Sequence, residues 1–148
     1  MERKDFIRAC GFACASSIGL TALLQGCTSA RLVSGKIVED DLIVSISDFE
    51  NRNGRQGEYR PYLIVRHEIL QYPICVFRKS ENEYTALWMR CTHQGTELQV
   101  FGDKLQCPAH GSEFTTTGTV QSGPADSKLR TFPVSIDKEQ LKISLKAA

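Results

Sequence analysis

The chain has 148 residues, with 18 basic and 17 acidic side chains, six cysteines and three histidines. The near-balance of charge excludes a nucleic-acid binder, which carries a clustered basic excess; 24% charged and 41% apolar residues exclude wholesale disorder. Cysteine at about 4% of residues lies well below the density of a disulfide scaffold, although an even count invites disulfides in an exported protein.

Residues 2–8 read Glu-Arg-Lys-Asp-Phe-Ile-Arg, and residues 9–30 carry no charge. A basic start before an apolar stretch is an export signal rather than part of the fold. The stretch contains Leu24-Gln25-Gly26-Cys27, which resembles the lipobox of bacterial lipoproteins. That resemblance implies cleavage before Cys27 and a lipid on its sulfur, hence a membrane anchor. An uncleaved spanning helix is the competing reading. Arg3–Arg8 is also similar to a twin-arginine signal with Lys4 in the second basic position, a route for proteins already folded around a cofactor. Residues 1–26 are therefore assigned to the signal and 27–39 to a linker. The domain is expected on the outer face of a bacterial membrane.

The remainder reads as short strands. Leu42–Ile46, Leu63–Val65, Ile74–Phe77 and Tyr84–Met89 are β-branched or apolar runs, with a polar turn at Ser80–Glu83. Asn51–Arg60 is a polar loop, and Phe101–Lys104 supplies a hairpin turn. Phe132–Ile136 and Leu141–Leu145 form a last pair, the second alternating in the period of a half-buried strand. No window carries a capped amphipathic helix. The fold class is all-β, a sandwich or small barrel over residues 40–146.

Two segments carry the chemistry: Cys91-Thr92-His93-Gln94-Gly95 and Cys107-Pro108-Ala109-His110-Gly111-Ser112. Each offers one thiolate and one imidazole, and a nearby glycine lets the backbone turn tightly. The pattern C-x-H-x13-C-x2-H resembles the Rieske [2Fe-2S] family, and the likeness extends through Phe114, Gly118, Gly123-Pro124-Ala125 and Phe132-Pro133-Val134. The resemblance implies one [2Fe-2S] cluster, with Cys91 and Cys107 on one iron and His93 and His110 on the other. It implies a cluster-binding lobe at about residues 86–126, inserted into an antiparallel base domain. Ser112, Phe114, Gly123 and Pro124 would surround the cluster, with Gly123-Pro124-Ala125 as its cover. Two thiolates and two neutral imidazoles leave the oxidised site neutral, so accepting an electron costs less than with four thiolates. The resemblance places the outer imidazole nitrogens toward solvent, and a potential that falls with rising pH follows.

The sequence departs from the quinol-oxidising members of cytochrome bc-type complexes. Thr96 and Ala109 stand where those members carry a disulfide, Phe114 where they carry a tyrosine donor, and Gln94 where leucine is common. Loss of a donor lowers the potential within the Rieske range of about −150 to +300 mV, below its top. A Rieske oxygenase is excluded by counting: its mononuclear iron needs two more histidines, and only His67 remains. His67, beside Arg66 and Glu68, reads as surface polar, Trp88 as core and Cys75 as a buried small residue. No disulfide is expected. The function implied is one-electron transfer at the membrane to a redox partner. The quinol-oxidising subunit is the alternative, and a zinc-stabilised Cys2His2 module the remote one.

Overall fold

Leu63–Val65 and Ile74–Phe77 are apolar without alternation, and a strand apolar on both faces must be covered on both. The computed structural model describes residues 30–146 and shows that covering. In chain order the strands are β1 (Leu32–Ser34), β2 (Lys36–Val38), β3 (Asp41–Ser45), β4 (Tyr62–Arg66), β5 (Ile74–Arg78), β6 (Tyr84–Trp88) and β7 (Gln99–Phe101). They continue as β8 (Lys104–Gln106), β9 (Glu113–Thr115), β10 (Val120–Ser122), β11 (Thr131–Phe132), β12 (Val134–Asp137) and β13 (Gln140–Ser144). A one-turn 3-10 helix, Ile46–Phe49, follows β3.

Three sheets result. A middle sheet runs β1-β4-β5-β6-β11, a second β12-β13-β3-β2, and a third β10-β9-β8-β7. One face of the middle sheet presents Leu63, Val65, Ile74, Val76 and Ala86 to Leu42, Val44, Leu141 and Ile143 of the second. The opposite face presents Ile64, Cys75, Phe77 and Leu87 to Leu98, Leu105, Phe114 and Leu129 of the lobe. The middle sheet therefore serves two cores, which is why the side chains of Ile74–Phe77 are all buried.

Two boundaries differ from expectation. Residues 32–38, assigned to a linker, form β1 and β2, because Leu32–Ser34 completes the edge of the middle sheet beside β4. That pairing is parallel, whereas every other strand pair is antiparallel among the described residues. The lobe begins after β6 rather than at residue 86, since Ala86 and Leu87 pair with Phe132 and Thr131 within the middle sheet. Trp88, half-buried at the end of β6, packs against the base core as expected. It packs edge-on against Tyr72, with ring centroids 5.4 Å apart. The expected turns at Ser80–Glu83 and Phe101–Lys104 join antiparallel neighbours, as does the turn at Asp137–Gln140.

Candidate metal centre

Both cysteine–histidine segments fold into the same loop. In the first, the Cys91 N–H donates to the Thr96 carbonyl at 2.8 Å and the Gly95 N–H to the Cys91 carbonyl at 2.9 Å. In the second, the Cys107 N–H donates to the Ser112 carbonyl at 2.8 Å and the Gly111 N–H to the Cys107 carbonyl at 3.0 Å. The glycines have φ of 75° and 78°, the left-handed region that a side chain strains. A bridge between Arg90 and Glu97 closes the first loop, and β8 pairing with β9 closes the second. The histidines break the equivalence, His93 being third in its loop and His110 fourth.

The four expected ligands fall into two unlike pairs. Cys91 and Cys107 are 1% and 2% exposed, with their thiol groups in hydrogen-bonding contact. His93 and His110 are exposed, their ring centroids 5.0 Å apart and their planes at 87°. Burial pushes the Cys107 thiol up. Donation from the His110 and Ala109 N–H groups, with Cys91 and Thr96 side chains, outweighs burial and brings it below its ordinary value. The loop thus favours the thiolate, the form that binds metal. Among the described residues no three His, Cys, Asp or Glu side chains are grouped to hold a single ion. A buried sulfur pair beside an exposed nitrogen pair fits a two-iron core in which two imidazoles replace two thiolates on one iron.

The surroundings are hydrogen-bonded to both loops. Ser112 is fully buried, and its Oγ accepts from the Ala125 N–H at 3.0 Å, leaving its own proton to donate. Thr92 Oγ1 donates to the Ser127 carbonyl at 2.7 Å. Residues 123–127, including the cis Gly123-Pro124 bond, therefore tie the first ligand loop to the second. Gly123 and Pro124 themselves are exposed, and Ala125 is the buried member. Phe114 is wholly buried in the lobe core. Tyr72, which the sequence pattern gave no reason to select, donates from its hydroxyl to the Gly95 carbonyl at 2.6 Å.

The remaining residues stand apart. His67 is half-buried outside the site, its Nδ1 accepting from the Ile69 N–H at 3.2 Å. Cys75 is enclosed in β5, and burial pushes its thiol well up. Cys75, Cys91 and Cys107 are all free thiols. Cys27 and the whole of residues 1–26 lie outside the described residues. Among the described residues no helix is long and apolar enough to cross a membrane.

Residues 51–133, more than half of the chain, match the Rieske [2Fe-2S] domain family. The chain belongs to that family. The Rieske domain holds one [2Fe-2S] cluster, and the all-β fold is the one the resemblance implies. The chain is 39% identical over 56 residues to the cytochrome b6-f complex iron-sulfur subunit of Prochlorococcus marinus strain NATL1A, covering 36% of this chain and 32% of that protein. It is 25% identical over 114 residues to the subunit of the same name from Chlorobaculum tepidum, covering 74% and 56%. The match thus spans from about a third to just over half of these relatives' length. Among solved structures, the plasma membrane Rieske protein PetC3 of Synechocystis PCC 6803 aligns with a TM-score of 0.50 at 26% identity, over 57% of this chain and 86% of that one. The ferredoxin of carbazole 1,9a-dioxygenase from Nocardioides aromaticivorans IC177 aligns at 0.51 and 16% identity, over 70% and 95%, a likeness of fold.

Proposed function

We propose that this Rieske domain carries one electron at a time on the outer face of a bacterial membrane, as a subunit or partner of an oxidoreductase. Cys91 and Cys107 hold one iron, and His93 and His110 the other. The observation that carries this reading is the segregation of a buried sulfur pair from an exposed imidazole pair. When bound, the cluster supplies a reversible one-electron couple. The chain's own residues do the rest. The lobe core shields the cysteine sulfurs from water, Ser112 offers a hydroxyl proton, and the exposed histidines give a partner its point of approach. Cys27 anchors the protein through a lipid, and residues 1–26 direct its export.

The curated relatives favour a second reading, the Rieske subunit of a quinol-oxidising complex, since those named above are cytochrome b6-f subunits. Thr96, Ala109 and Phe114 weigh against it, for they replace an interloop disulfide and a tyrosine donor.

Visible absorption and electron paramagnetic resonance of the full-length protein test the first reading. One electron per chain should produce a paramagnetic signal that Cys107→Ser and His110→Ala each abolish. Zinc content with no visible absorption overturns it. Co-isolation with a cytochrome b from membranes selects the quinol-oxidising reading.

A further inference from the structure

We propose that Arg90 and Arg130 form a docking site for the acidic face of a redox partner and steer it to the first ligand loop. The inference rests on the electron-carrier reading above. Arg90 immediately precedes Cys91, where the chain enters the lobe, and Arg130 stands where it leaves. Both guanidinium groups stack on Trp88, with their carbons 5.7 and 5.6 Å from its ring centroid. Arg90 also lies 5.9 Å from the Tyr72 ring, and Arg130 lies 4.6 Å from Phe132. Arg90 Nη2 comes within 3.3 Å of the place a Cβ would occupy on Gly95, so its charge rests against the loop that carries His93.

Both side chains are exposed, yet neither forms an ion pair among the described residues. Among the described residues, Arg130 Nη2 donates only to the Leu145 carbonyl, at 3.2 Å. Nearby Arg66 is neutralised by Glu97. Asp126 and Lys128, of opposite charge, flank Ser127, whose carbonyl meets Thr92 of the first loop. Aromatic faces hold a guanidinium while its N–H edge remains available to a carboxylate, which it binds with two parallel hydrogen bonds. Stacking orders the fork before a partner arrives, lowering the ordering cost of docking. A pair of fixed positive charges beside the ligand loop attracts a carboxylate-bearing surface and raises its encounter rate.

The test uses the full-length, cluster-loaded, reduced protein in detergent. Stopped-flow oxidation is followed with ferricyanide, an anion, and with tris(phenanthroline)cobalt(III), a cation. In R90Q/R130Q the ferricyanide rate at low ionic strength should fall about three- to tenfold and converge on wild type at high salt. The cobalt rate should rise, with the cluster's paramagnetic signal retained. Poly-glutamate should slow ferricyanide oxidation of the wild type and not of the variant. Equal ferricyanide rates in variant and wild type at low salt overturn the proposal. Inhibition by phosphatidylglycerol vesicles but not by poly-glutamate assigns the pair to a bilayer and also overturns it. If the double variant loads no cluster, the wild type still decides: salt must slow ferricyanide and speed cobalt, and slopes of the same sign overturn docking. A wild-type protein with no paramagnetic signal sinks the carrier reading instead.

Discussion

The Tyr72 hydroxyl reaches 23 positions along the sequence to hold the first ligand loop at Gly95. A neutral hydrogen bond of this kind contributes about 0.5–1.5 kcal/mol net. Tyr72→Phe keeps the ring against Trp88 and removes only the donor, so cluster release should accelerate about three- to tenfold. The decay of visible absorption measures it, with Tyr62→Phe as a control that leaves the ligand loops untouched. Phe114→Tyr asks the converse question, because it restores a hydroxyl where quinol-oxidising members have one. If that hydroxyl reaches a cysteine sulfur, redox titration should show a raised potential, since donors stabilise the reduced cluster. An unchanged potential with stability lowered by about 1–3 kcal/mol means a buried hydroxyl without a partner. The two cysteine–histidine segments are legible in the sequence because each cysteine lies within a few residues of its histidine. Tyr72 is not legible: a tyrosine in a loop has no period and its partner is distant. Thr92 lies inside the motif, but its acceptor, Ser127, lies 35 residues away.

At the level of elements, β4 and β5 are readable as strands covered on both faces, because their apolar runs do not alternate. β1, β2 and β7–β10 have three residues each, too short to show a period, and tertiary pairing decides them. The β7–β8 hairpin was nevertheless signalled by its turn residues, and Gly102 there has a φ of 63°. The lobe depends on a small core, with Leu105 of the inner strand β8 fully buried opposite Phe114 of β9. Leu105→Ala should destabilise the lobe by about 2–5 kcal/mol. In denaturant the cluster absorption should then bleach before the far-ultraviolet β signal of the base sheets is lost. Coincident, unshifted transitions would show that the lobe tolerates the cavity.

Across the whole molecule, one sheet stabilises two cores, and Cys75 sits on the face shared with the lobe. Its thiol stays protonated in the folded chain because burial disfavours the thiolate. The unfolded chain releases that proton above the ordinary value of 9.0, so unfolding gains free energy as pH rises past it. The contribution is fully present below that value and declines above it, by at most about 1.4 kcal/mol per pH unit. Tyr62 acts in the same direction, raised by burial. Cys75→Val should flatten the alkaline limb of stability between pH 9 and 10, as read by denaturant midpoints across pH. An alkaline limb identical to wild type would place the titration elsewhere.

The lobe leaves the middle sheet at Trp88 and rejoins it at Thr131, and these crossing points are neighbours: the Trp88 N–H donates to the Arg130 carbonyl at 2.9 Å. Adjacent strands stand about 4.8 Å apart, so a short turn could close the gap left by removing everything between. Everything between the crossing points, both cysteine–histidine loops and the paired arginines included, is thus one continuous insertion, which Tyr72 and Arg66 of the base also hold at Gly95 and Glu97. Because the crossing points are adjacent, an exchange of this insertion leaves the pairings of β3–β6 and β11–β13 in place, provided the new head keeps partners for Tyr72 and Arg66.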